Sequence, residues 1–69
     1  MATFHVYKDQ KGEYRWRLLS SGNNRIIADS GEGYSTLSNC EDGIKLVKQQ
    51  APGADTNYDK SVGVVKINR

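Results

Sequence analysis

The sequence predicts an α+β domain of order β-β-β-α-β: a three-stranded antiparallel meander, one helix packed on the sheet, and a fourth strand at the C-terminus. Three observations carry this prediction. Apolar and polar residues alternate in short runs between Phe4 and Asp29, separated by turn-forming clusters. Apolar residues then recur at spacings of three and four from Leu37 to Ala51, and a β-branched run closes the chain from Ser61 to Asn68.

The first strand, Phe4 to Lys8, sets Phe4 and Val6 on one face and His5 and Tyr7 on the other. Asp9-Gln10-Lys11-Gly12 reads as a hairpin turn, with Gly12 suited to a positive φ and Asp9 able to bond the backbone that follows it. The second strand, Glu13 to Leu19, places Tyr14, Trp16 and Leu18 towards a core and Arg15 and Arg17 away from it. Ser20 to Asn24 is a cluster of turn formers, Arg25 to Asp29 a short third strand, and Ser30-Gly31-Glu32-Gly33 a change of direction.

The helical stripe comprises Leu37, Cys40, Ile44, Val47 and Ala51. Ser38 followed by Glu41 fits a capping box, which starts the helix near Ser38, and Pro52-Gly53 stops it. Glu41 and Asp42 are expected in the first turn, with Lys45 and Lys48 later, the order that the helix dipole favours. Gly43 inside a helix costs about 1 kcal/mol relative to alanine, which points to close approach of the helix to the sheet or to another chain. After a polar connection from Asp55 to Lys60, the last strand carries Val62 and Val64 on one face and Val65 and Ile67 on the other. Apolar residues on both faces suit a strand covered on two sides.

Sixty-nine residues suffice for a single domain, residues 1–69, with a thin core. Cys40 is the only cysteine and His5 the only histidine, so an intrachain disulfide is impossible and a structural zinc site lacks ligands. A partner subunit is the remaining source of added stability. The same scarcity of catalytic groups argues against an enzyme, and no cofactor is expected. No leader or membrane span is legible, so a cytoplasmic location is expected. Ten basic residues against eight acidic ones give a net charge of +2, too balanced to imply nucleic-acid binding by composition.

Val6-Tyr7-Lys8-Asp9, Gly12-Glu13-Tyr14-Arg15-Trp16-Arg17-Leu18, Ile27-Ala28-Asp29-Ser30, Gly33-Tyr34 and Gly43-Ile44 together resemble the YegP-like proteins, a bacterial family of short domains of unknown function. The resemblance implies the β-β-β-α-β fold. Members often carry this unit in tandem, which implies that a single unit pairs with a second chain. It implies no activity. The turn from Ser20 to Asn24 is longer than the family's usual tight Asn-Gly, which leaves the register of that hairpin open.

Two kinds of function are therefore expected. The first is a protein-interaction or assembly module, a homodimer that also meets an unidentified protein partner, with Tyr7, Val62 and Val64 as interface candidates and Gly43 as a weaker one. The alternative is sheet-mediated nucleic-acid binding through a basic stripe of Lys8, Arg15 and Arg17, by analogy with three-stranded sheets that enter the major groove. Trp16 belongs to the core face, and Cys40, on the apolar stripe of the helix, reads as a packing residue and not as a nucleophile. Arg15 and Arg17 would otherwise pair with Glu13, Asp29 or Glu32 and keep the surface wet.

Overall fold

The structure, a computed structural model, describes residues 1–63. Strand β1 spans Thr3–Lys8, β2 Tyr14–Leu19 and β3 Ile26–Asp29, and helix α1 spans Leu37–Gln50. The sheet order is β1-β2-β3 with both pairings antiparallel, so the expected meander and its helix are present. No described helix is long and apolar enough to cross a membrane.

The first hairpin follows the alternation of its sequence. Phe4 lies opposite Leu18, Val6 opposite Trp16 and Lys8 opposite Tyr14, so these pairs share one face of the sheet. Thr3 opposite Leu19, His5 opposite Arg17 and Tyr7 opposite Arg15 share the other. The turn closes as Gly12, at φ +81°, donates its N–H to the Asp9 carbonyl at 3.0 Å, while the Asp9 N–H donates to the Glu13 carbonyl at 2.9 Å.

The second hairpin departs from regular pairing. Leu18 faces Ala28 but Leu19 faces Ile26, so Ile27 is an extra residue and β3 carries a bulge. The long turn explains it: Gly22 at φ +91° and Asn24 at φ +55° wind the chain before Ser20 donates its N–H to the Arg25 carbonyl at 2.8 Å. All four residues of β3 are exposed.

Beyond the bend, Tyr34 runs beside the start of β2, its N–H and carbonyl exchanging hydrogen bonds with those of Tyr14 at 2.8 Å each. A Cβ on Gly33 would stand 2.9 Å from the Glu13 Cβ, so only glycine lets the chain lie this close to β2. The cap of α1 is Thr36, not Ser38: its backbone is extended at φ −129°, ψ 151°, and its hydroxyl accepts the Asn39 N–H at 3.1 Å. Glu41 therefore lies too far along to complete a capping box, and no acidic residue occupies the first turn; Lys48 does lie in the last turn. The helix tightens into a 3-10 turn at Ala51–Gly53, where Pro52 fits an early position.

Helix α1 packs chiefly on β2. Trp16, Cys40 and Ile44 form the buried core, with Phe4, Val6, Tyr14, Leu18, Tyr34 and Val47 partly buried around it. The expected stripe is thus buried only at its centre; Leu37 and Ala51, at its two ends, stay exposed. The expected fourth strand differs as well. Ser61 and Val62 belong to a 3-10 turn, Lys60–Val62, because Asp59 caps it through the Ser61 N–H at 3.3 Å and Gly63 ends it at φ +70°. The remainder of that strand, including Val64, lies outside the described residues.

Candidate interaction surfaces

With α1 on one side, the opposite sheet face presents Thr3, His5, Tyr7, Arg15 and Arg17 uncovered by any described element. His5 and Tyr7, two apart on β1, stack at 6.2 Å with an 18° interplanar angle. The Arg17 guanidinium lies 4.2 Å above the Tyr7 ring, where the ring's negative face attracts it.

Arg15 is held differently. Its Nε donates to Asp9 Oδ2 at 2.7 Å, while Asp9 Oδ1 accepts the N–H groups of Lys11 at 2.9 Å and Glu13 at 3.0 Å. One carboxylate thus fixes the turn backbone and a β2 side chain together, and its partner is not among the acids expected from sequence. The Arg15 hydrogen bond is the first cause holding the Asp9 carboxyl below its ordinary value near 3.8, with the Glu13 backbone bond next. A group depressed in the folded state stabilises the fold above its unfolded value and loses that contribution as pH falls through the folded one. Below about pH 4 the wild-type hairpin is therefore expected to weaken, whereas Asp9→Ala, already less stable at neutral pH, should show a flatter acid limb in urea melts from pH 7 to pH 2. Parallel acid limbs would show that Asp9 contributes nothing.

The basic stripe does not assemble as expected. Lys8 faces the helix side, its Nζ 5.1 Å from the centre of the Tyr14 ring, because its register places it opposite Tyr14. Arg15 and Arg17 share the outer face without it. The simple alternation Phe4, Val6, Lys8 carried that information already.

The interface candidates also separate. Tyr7 is half-buried beneath Arg17 on the outer face, and Val62 is exposed on its 3-10 turn, while Val64 lies outside the described residues. Gly43 faces inward: a Cβ there would stand 2.5 Å from the Tyr34 hydroxyl and 3.6 Å from Trp16 Nε1, so its glycine answers to the helix–sheet approach.

Cys40 is fully buried, and burial, reinforced by Glu41, pushes its thiol above the ordinary value, which disfavours a thiolate nucleophile. Among the described residues no group of three or more His, Cys, Asp or Glu side chains is placed to hold a metal ion. A groove of about 480 Å³ opens between β1 and α1, with Phe4, Val6 and Ile44 as apolar lining and Glu41, Asp42, Lys45 and Lys48 as charged lining. It arises because the helix leans on β2 and leaves β1 less covered.

One surface escaped the sequence reading. Ile26 and Ile27 are 57% and 58% exposed on β3, an edge of the described sheet. The available signal was two consecutive β-branched residues in a very short strand after a long turn, which cannot both face a core.

Residues 9–57 match the family described as Domain of unknown function (DUF1508). The chain is 53% identical over 45 residues to the UPF0339 protein of Neisseria meningitidis serogroup B, an alignment covering 65% of this chain and 77% of that protein. It is 40% identical over 58 residues to the "UPF0339 protein in ptx operon 5'region" of Stutzerimonas stutzeri, covering 84% of this chain and 50% of that protein. The solution structure of the protein from Haloferax volcanii superposes with a TM-score of 0.78 at 45% identity, covering 84% of this chain and 95% of that one.

Proposed function

The chain belongs to the DUF1508 family of domains of unknown function, and we propose that it acts in the cytoplasm as a small binding or assembly module, pairing with a second copy of itself and, as a pair, meeting other proteins. It performs no chemistry of its own in this reading. The observation that carries it is the imbalance between core and surface: three buried apolar residues against exposed Ile26, Ile27, Leu37, Leu46 and Val62 among the described residues. A single layer of helix cannot cover so much apolar surface, and a second copy offers cover of the right chemistry.

The test is mass and its linkage to stability. Light scattering at micromolar concentration is expected to give twice 7.7 kDa, with the melting temperature rising as protein concentration rises. A mass of 7.7 kDa at about 100 μM, with a concentration-independent melt, would overturn the reading.

Nucleic-acid binding is supported by one observation, the stacked His5 and Tyr7 with Arg17 above the Tyr7 ring on an uncovered face. It draws less support because Asp9 occupies Arg15 and Lys8 faces the other way.

A further inference from the structure

We propose that the outer face of the sheet seats an extended segment of another protein that carries a carboxylate and, two residues on, an ammonium, the first taken by Arg17 and the second by Asp29. This rests on the reading that the chain meets other proteins and names the chemistry of that contact. Arg17 lies directly opposite Asp29. The neighbouring Ser30 donates its N–H to the Trp16 carbonyl at 2.9 Å, so antiparallel alternation makes Arg17 and Asp29 a non-hydrogen-bonded pair, the kind whose side chains stand closest. Opposite charges so placed attract and ordinarily pair. Here they are apart: Arg17 forms no ion pair among the described residues, and its guanidinium leans towards β1 to lie 4.2 Å above the Tyr7 ring. Asp29 engages only Oδ1, which accepts the Gly31 N–H at 3.1 Å.

Two opposite charges are thus held apart on a face that no described element covers. The Tyr7 ring holds the guanidinium in place by its negative face, while the N–H fork stays free to take both oxygens of a carboxylate. Alternate residues of an extended segment point the same way, so an acid and a base two apart reach Arg17 and Asp29 together. A nucleic-acid strand suits the face less well. Asp9 already engages Arg15, so a chain of phosphates would meet one open guanidinium beside the open oxygen of Asp29, where like charges repel. A segment with one acid and one base satisfies both groups.

The experiment titrates the isotope-labelled chain with the end-blocked peptide Ser-Glu-Ser-Lys-Ser and follows its amide spectrum. Shifts are expected at Tyr7, Arg17 and Asp29, and exchanging the peptide's glutamate for glutamine, or Arg17→Gln in the chain, should weaken binding about tenfold. Asp29→Asn should abolish the preference for this peptide over one whose lysine is replaced by glutamine. Tyr7→Leu, which frees Arg17 to swing onto Asp29, should weaken binding although both charges remain. The same spectra establish that each variant is folded. A glutamine peptide that binds as tightly as the glutamate one, or shifts that avoid this face, would overturn the proposal. It also fails if a short oligothymidylate shifts these amides at a lower concentration than the peptide does, which would assign the face to nucleic acid. Light scattering separates this from the pairing reading: a pair that ignores the peptide defeats the proposal alone, and a monomer that binds it through Arg17 defeats the pairing alone.

Discussion

Trp16→Ala is expected to leave the chain unfolded at room temperature. Trp16 is 6% exposed, stands at the centre of the core between the sheet and Cys40 and Ile44, and meets the Phe4 ring edge-on at 5.3 Å. Truncating a buried tryptophan to alanine costs about 3–5 kcal/mol, and a chain of 69 residues has a total stability of roughly 3–10 kcal/mol. So large a loss consumes most of the stability because only three apolar side chains are buried in the described core. Trp16→Phe separates size from polarity. The indole Nε1 has no hydrogen-bond partner among the described residues, so phenylalanine removes a buried donor along with part of the ring. The phenylalanine variant should stay folded with a lowered urea midpoint. Cooperative unfolding of Trp16→Ala within a few degrees of wild type would show that stability resides elsewhere.

Gly43→Ala should destabilise the domain even though alanine is the better helix former. The helix itself would gain about 1 kcal/mol. Against this, the new methyl would stand 2.5 Å from the Tyr34 hydroxyl and 3.0 Å from its Cζ, and overpacking of that kind costs about 1–3 kcal/mol. Tyr34 has little freedom to withdraw, since both its backbone groups are bonded to Tyr14. The penalty should therefore exceed the gain and should shrink in a Tyr34→Phe background, which removes the nearest atom. A double-mutant cycle on urea midpoints reads this coupling directly. A Gly43→Ala protein more stable than wild type would show that the helix can shift away from Tyr34.

Much of this architecture is local, and local structure is what a sequence states. The alternation of Phe4 to Lys8 and Glu13 to Leu19 fixed which side chains share a face, and Asp9 with Gly12 fixed the turn between them. The spacing of Cys40, Ile44 and Val47 fixed the helix face that meets the sheet, and Trp16 was legible as core from its own neighbours. Family membership was legible too, since most of the residues that carried the resemblance lie within segment 9–57, which matches the family.

Other features depended on distances between segments far apart in the chain. Thr36 and Ser38 are equally good caps by chemistry; which of them caps depends on where the chain leaves its bridge to Tyr14. Glu13, Asp29 and Glu32 were the acids expected for Arg15, and the curl of the turn brought Asp9 to it instead. Val62 has strand propensity but lies with Ser61 in a 3-10 turn, because Asp59 caps that turn and Gly63 closes it. The sequence by itself determined the order of the three strands and the helix, the core-facing sides of β1, β2 and α1, and the inventory that leaves the chain so few catalytic groups. Only the tertiary structure decided that the helix rests on β2, that Gly43 is filled by Tyr34, and that a bulged β3 turns two isoleucines to solvent, because each follows from how independently specified elements approach one another in space.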